Sequence, residues 1–176
     1  MTDLVALLAC ALFTSALSLR APTLRPHALA ALACAALYLA RVAGGPRVAV
    51  AAYATWPGVA VWLWLRVCRR DLAGAIRMWP VVALYAIALA YGGHYLAPVW
   101  PWPLLAPNAL PLLVALAGWR RPRTWAERAA YVLPASCAAD LVSTWAGAPG
   151  VVREWVGIAT WVAFAACCAR ASRDRA

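Results

Sequence analysis

Long apolar stretches, separated by short segments rich in proline, glycine and arginine, occupy almost the whole chain. A helix needs about 20 mostly apolar residues to cross a bilayer, and these stretches are close to that length. With 66% hydrophobic and 12% charged residues, the chain also lacks the charged side chains that cover a soluble domain. The sequence therefore predicts an all-α membrane protein.

Seven membrane-spanning helices fit the pattern of apolar stretches. They cover about residues 3 to 20, 26 to 43, 48 to 66, 76 to 95, 100 to 119, 125 to 146 and 151 to 169. The segments between them contain residues that end helices, as in "AGGPR", "PVWPWP" and "AGAPG". We refer to these predicted helices as spans 1 to 7.

Arginine supplies all 16 basic residues, and its distribution predicts the topology. Alternate linkers lie on opposite sides of the membrane, and short basic linkers stay on the cytoplasmic side. Thirteen arginines fall on one side, whereas only Arg41, Arg47 and Arg153 fall on the other. We therefore expect an external N-terminus, a cytoplasmic C-terminus and a multi-pass protein of a bacterial-type inner membrane.

Two parts of the sequence resemble each other. Residues 34 to 48, "CAALYLARVAGGPRV", align with residues 137 to 151, "CAADLVSTWAGAPGV", and "ATW" occurs at 54 to 56 and again at 159 to 161. We interpret these matches as a parallel internal repeat. Residues 1 to 70 and 100 to 176 would each form a three-helix unit, and residues 71 to 99 would contain span 4 as the linker helix.

This arrangement of three, one and three helices is similar to that of the SWEET sugar transporters and the microbial rhodopsins. The similarity concerns the order of the helices only. The Pro-Gln motif of the SWEET relatives is absent, and the chain has no lysine that could form a retinal Schiff base. The resemblance therefore assigns neither an activity nor a residue.

Asp140 lies inside span 6, where an ionisable group is costly and normally faces a cavity or a partner. It precedes Gly147 by two helical turns, which places it roughly 10 Å below the outer boundary at 1.5 Å per residue. Ser136 and Ser143 share its helical face. We expect this face to line the interior of the helix bundle.

Three further polar residues have a similar predicted depth, namely Thr55 in span 3, Asn108 in span 5 and Thr160 in span 7. We expect them to form an outward-facing pocket together with Asp140, Ser136 and Ser143. Prolines interrupt the start of span 5 around Asn108, and a broken helix exposes backbone groups that can bind a ligand.

Aromatic walls of this pocket would come from Trp56 and Trp161, which follow the two threonines. A structural alternative stays open, because hydroxyl groups bond back to their own helix and polar side chains hold helices together. In that case Arg41, at the outer end of span 2, is the best ion-pair partner for Asp140.

Neither a metal nor another cofactor is expected. His27 and His94 fall near opposite ends of their spans, and the six cysteines have no Cys-x-x-Cys spacing. The chain also lacks a paired carboxylate at membrane depth, a serine with a nearby histidine base and a glycine-rich phosphate loop. These features favour a function other than catalysis.

The leading hypothesis is a tryptophan-rich transport or binding protein for a small solute. A non-catalytic subunit of a larger membrane complex and a membrane-embedded lipid or isoprenoid enzyme stay as alternatives, and homo-oligomerisation is compatible with each. The formal net charge of +10 predicts contact with anionic lipid headgroups rather than nucleic acid, since the arginines lie in short linkers and not along one extended face.

Overall fold

The computed structural model describes residues 2 to 68 and 121 to 174. Within these two ranges the secondary structure is helical and contains no β-strand. The α-helices are α1 (Thr2–Arg20), α2 (Arg25–Ala43), α3 (Pro46–Cys68), α4 (Trp125–Trp145) and α5 (Gly150–Arg173). The prediction of an all-α chain is confirmed for this part.

The five helices coincide with predicted spans 1, 2, 3, 6 and 7. Spans 4 and 5, and with them Asn108, lie outside the described residues. Three segments of the described chain are long and apolar enough to cross a bilayer: Thr2–Arg20, Pro22–Ala43 and Gly150–Arg173. These three helices indicate a membrane protein.

The short connections follow from their sequence. A 3-10 turn, Pro22–Leu24, joins α1 to α2. At Gly44 a Cβ atom would lie 2.6 Å from the carbonyl oxygen of Ala40, so only glycine fits between α2 and α3. Gly147, after α4, has a φ of 64°. The Ala148 amide donates to the backbone carbonyl oxygen of Ser143 over 2.8 Å. That bond and the left-handed glycine form a Schellman cap, which lets the chain turn directly into α5.

The first turn of α4 is fixed by a capping box. The Glu127 carboxylate accepts hydrogen bonds from the Arg123 and Thr124 amides, at 2.6 and 3.3 Å. The Glu127 amide donates to the Thr124 hydroxyl over 3.2 Å. These bonds satisfy amides that have no partner within the helix, so the sequence Thr-Trp-Ala-Glu sets where α4 begins.

The helices pack in a closed ring, in which α1 contacts α2 and α5, α3 contacts α2 and α4, and α4 contacts α5. Small side chains fill much of the space between them, including fully buried Ala30, Ala31 and Cys34. Leu7, Leu133 and Phe164 are among the larger side chains of the same cluster. Small side chains allow close approach of neighbouring helices, and this is how helices associate where water does not drive packing.

Contacts between helix ends give the direction of each helix. The His27 ring, near the start of α2, bonds to the Ala126 carbonyl at the start of α4 over 2.8 Å. At the opposite end, the Tyr38 hydroxyl, near the end of α2, donates to Asp3 at the start of α1. The first contact requires α4 to run parallel to α2, and the second requires α1 to run antiparallel to it.

We call the end of the bundle that contains the starts of α2 and α4 the basic end. It contains most of the arginines of the described residues: Arg20, Arg25, Arg66, Arg121, Arg123, Arg128, Arg170 and Arg173. The outer end, as we call the other, contains Arg41, Arg47 and Arg153. The helix directions therefore gather the arginines in the way that the positive-inside rule requires of a cytoplasmic face.

Candidate functional site

Asp140 is half-buried on α4, in the last two turns before the outer end. The predicted polar neighbours on its own helix use their hydroxyl groups locally. Ser143 donates to the Asp140 backbone oxygen over 3.0 Å, and Ser136 donates to the Leu133 oxygen over 2.9 Å. Both side chains are half-buried, as expected of residues near the interior face, and both hydroxyls have a partner without a ligand.

The two predicted threonines differ in their surroundings. Thr160 on α5 is half-buried, and its hydroxyl donates to the Val156 oxygen over 2.8 Å. Thr55 on α3 is exposed. A pocket that joins these threonines to Asp140 and Asn108 stays a prediction, because Asn108 lies outside the described residues.

The two tryptophans that were predicted to line the pocket contact each other. The rings of Trp56 on α3 and Trp161 on α5 are in edge-to-face contact, with their centroids 5.7 Å apart. Trp161 is only 4% exposed, and its ring also packs edge to face against Phe164, at 6.0 Å. These contacts join α3 to α5 across the ring of helices.

The tryptophan pair lies deeper than Asp140. Trp56 and Trp161 are about 15 Å from the outer ends of α3 and α5, at 1.5 Å per residue, whereas Asp140 is about 8 Å from the outer end of α4. The contact is thus near the middle of a bilayer whose hydrocarbon core is about 30 Å thick. Asp140 is between the tryptophans and the outer end.

A second polar cluster at the outer end was missed by sequence reasoning. Tyr38 donates its hydroxyl to the two carboxylate oxygens of Asp3, at 3.0 and 2.9 Å. Arg41 and Glu154 lie close enough to Tyr38 to influence it electrostatically. A usable signal was present, since Asp3 begins span 1 and Tyr38 is near the end of the adjacent antiparallel span.

Arg41 is exposed at the outer end of α2. Tyr38 is one of the groups on which it acts electrostatically. The ion pair between Arg41 and Asp140 stays a prediction.

His27 is a buried residue at the basic end that holds helices together. It is fully buried, its Nε2 atom bonds to the Ala126 carbonyl at 2.8 Å, and its ring lies 5.9 Å from that of Phe164. Because a carbonyl oxygen only accepts, Nε2 must carry the proton. His27 thereby links α2, α4 and α5.

A cavity of about 630 Å³ opens at the basic end between α3 and α4. Its described lining includes Cys68, Arg121, Arg123, Glu127 and Tyr131, and none of the described residues that were predicted to bind solute. Within the described ranges, no three histidine, cysteine or acidic side chains are grouped so that they could hold a metal ion.

No protein-family model, curated protein or solved structure is significantly similar to this chain. What it does must therefore be argued from its own residues.

Proposed function

We propose that the chain is a seven-span inner-membrane protein that binds or transports a small solute through a pocket in its outer half, centred on Asp140. The contact between Trp56 and Trp161 is the observation that carries this proposal. The pair closes the space between α3 and α5 near mid-membrane depth, and so forms the floor of a compartment that contains Asp140 and opens outward.

The chemistry of Asp140 defines the class of solute. A carboxylate accepts hydrogen bonds and pairs with cations, and its attraction for a cation strengthens where water is excluded. The half-buried position of Asp140 combines access for a ligand with partial loss of water. The solute therefore carries an amine or another strong donor group, and the tryptophan rings below add apolar and cation–π contacts.

The internal repeat explains why the floor consists of two tryptophans. Trp56 and Trp161 come from the two copies of "ATW", and an axis that relates two halves brings equivalent residues together. Cys34 and Cys137, which also align, belong to one buried cluster. The matched glycines differ, because Gly44 is the extended cap of α2 whereas Gly147 has a left-handed conformation. The repeat thus concerns the helices more than their connections.

The proposal is tested by a thermal-shift screen of small amines, amino acids and polyols against purified protein. A ligand of the pocket should stabilise the wild-type protein and should not stabilise Asp140→Asn. Asp174→Asn is the matched control, because it makes the same chemical change at the basic end. Stabilisation by 100 Kd of ligand is worth about 2.7 kcal/mol, enough to move the midpoint by several degrees.

Two results would contradict the proposal. One is a ligand that stabilises Asp140→Asn as strongly as the wild type. The other is a complete absence of ligand stabilisation combined with co-purification of a stoichiometric membrane protein, which would support the subunit hypothesis instead.

A further inference from the structure

Two arginines share one tryptophan ring at the basic end. The guanidinium carbons of Arg128 and Arg170 lie 4.2 and 4.8 Å from the ring centroid of Trp125. Trp125 is half-buried and packs against the helix core, so its ring is held in place. Arg128 follows it by one turn of α4, whereas Arg170 comes from the last turn of α5.

The charges of this cluster are not neutralised by the described part of the chain. Neither Arg128 nor Arg170 forms an ion pair with a carboxylate of those residues. Both guanidinium groups act electrostatically on the half-buried thiol of Cys167, so they lie near the same point of the contact between α4 and α5. Two like charges held together in this way form a favourable site for an anion.

The position of the cluster indicates where that anion comes from. Trp125 is the first residue of α4, and α5 is one of the helices that can cross a bilayer. Tryptophan at a helix end is typical of the lipid headgroup region. Below Arg170, on the same face of α5, Ala163 and Ala166 are exposed and form an apolar strip along which an acyl chain can lie.

We propose that Trp125, Arg128 and Arg170 form a binding site for the phosphate group of an anionic phospholipid in the cytoplasmic leaflet. Guanidinium groups donate paired hydrogen bonds to phosphate oxygens, and the ring orients both groups. The inference requires insertion in the membrane with the basic end inside, but it does not depend on the Asp140 pocket.

Native mass spectrometry of the detergent-purified protein tests the site. Phosphatidylglycerol and phosphatidylcholine with identical acyl chains are titrated onto the wild type, Arg128→Gln, Arg170→Gln and the double variant. The matched control is Arg20→Gln, which removes an exposed arginine from the same end but outside the cluster. A thermal unfolding curve for each variant establishes that it is folded.

We expect the wild type to bind phosphatidylglycerol in preference to phosphatidylcholine. Each arginine near a lipid surface contributes about fivefold in affinity, so each single variant should bind phosphatidylglycerol about fivefold more weakly. The double variant should lose more than about tenfold, and Arg20→Gln should stay within about twofold of the wild type.

The proposal is overturned if the folded double variant binds phosphatidylglycerol like the wild type, or if the wild type does not distinguish the two lipids. Displacement of phosphatidylglycerol by millimolar inorganic phosphate would also overturn it, because the site would then recognise a free anion.

Discussion

The indole rings of Trp56 and Trp161 meet edge to face, with their centroids 5.7 Å apart, although one lies on α3 and the other on α5. The two residues end the two copies of the tripeptide "ATW". Their contact ties the proposed repeat to the proposed floor of the pocket, since the same pair serves both.

A double-mutant cycle of Trp56→Leu and Trp161→Leu should measure this contact. Edge-to-face aromatic pairs are worth about 0.5 to 1.5 kcal/mol beyond the area that they bury. We therefore expect the double variant to lose about 1 kcal/mol less unfolding free energy in detergent than the sum of the single variants. Additive losses would show that the rings contribute nothing to each other.

Tyr38→Phe should lower the unfolding free energy by about 1 kcal/mol, because it removes a hydroxyl that donates to Asp3. The control is Ser18→Ala. The Ser18 hydroxyl donates only to the backbone carbonyl oxygen of Ser15 on its own helix, at 2.7 Å. That variant should change stability by less than about 0.5 kcal/mol. Equal losses in chemical denaturation of the two variants would remove the Tyr38 bond as a tie between α1 and α2.

The buried His27 should tolerate only a side chain that still donates. His27→Phe keeps an aromatic ring near Phe164 but loses the donor to the Ala126 carbonyl, and should cost about 1 to 3 kcal/mol of unfolding free energy. His27→Gln retains a donor and should lose less. A smaller loss for phenylalanine than for glutamine in the same denaturation experiment would contradict this role.

The helices were more predictable from sequence than the site. The residues of "AGGPR" and "AGAPG" indicated where α2 and α4 end and where α3 and α5 begin, because helix ends depend on local backbone chemistry. Trp56 and Trp161 were predicted only as two walls of one pocket, because each follows a threonine of similar depth. That their rings contact each other was not predicted.

Depth along a helix does not give rotation about its axis or partners on other helices. For this reason the bonds from Tyr38 to Asp3 and from His27 to Ala126 were missed. The hydroxyls of Ser136 and Thr160 show the same limit, since their backbone bonds form in any helix.

The topology can be measured with reporter fusions. Fusions after residues 70, 122 and 176 should report a cytoplasmic location, and fusions near residues 45, 98 and 149 should report an external one. We expect this because most of the described arginines lie at the basic end, and the membrane potential and anionic lipids favour a cytoplasmic location for basic segments. An external C-terminus would contradict the seven-span arrangement and the parallel repeat together.

The accessibility of position 140 from outside the cell tests the proposed pocket most directly. In a variant whose six cysteines are replaced, Asp140→Cys is treated in intact cells with a membrane-impermeant thiol reagent. Ala146→Cys, in the exposed turn after α4, is the positive control. Val142→Cys, 61% exposed on the same helix and expected to face lipid, is the negative control.

We predict that Asp140→Cys reacts with the external reagent, more slowly than Ala146→Cys, whereas Val142→Cys does not react. Water must reach an outward-facing pocket but not the lipid-facing side of α4. A folded Asp140→Cys protein that stays as unreactive as Val142→Cys would contradict the account, because Asp140 would then face lipid or another subunit rather than an open pocket.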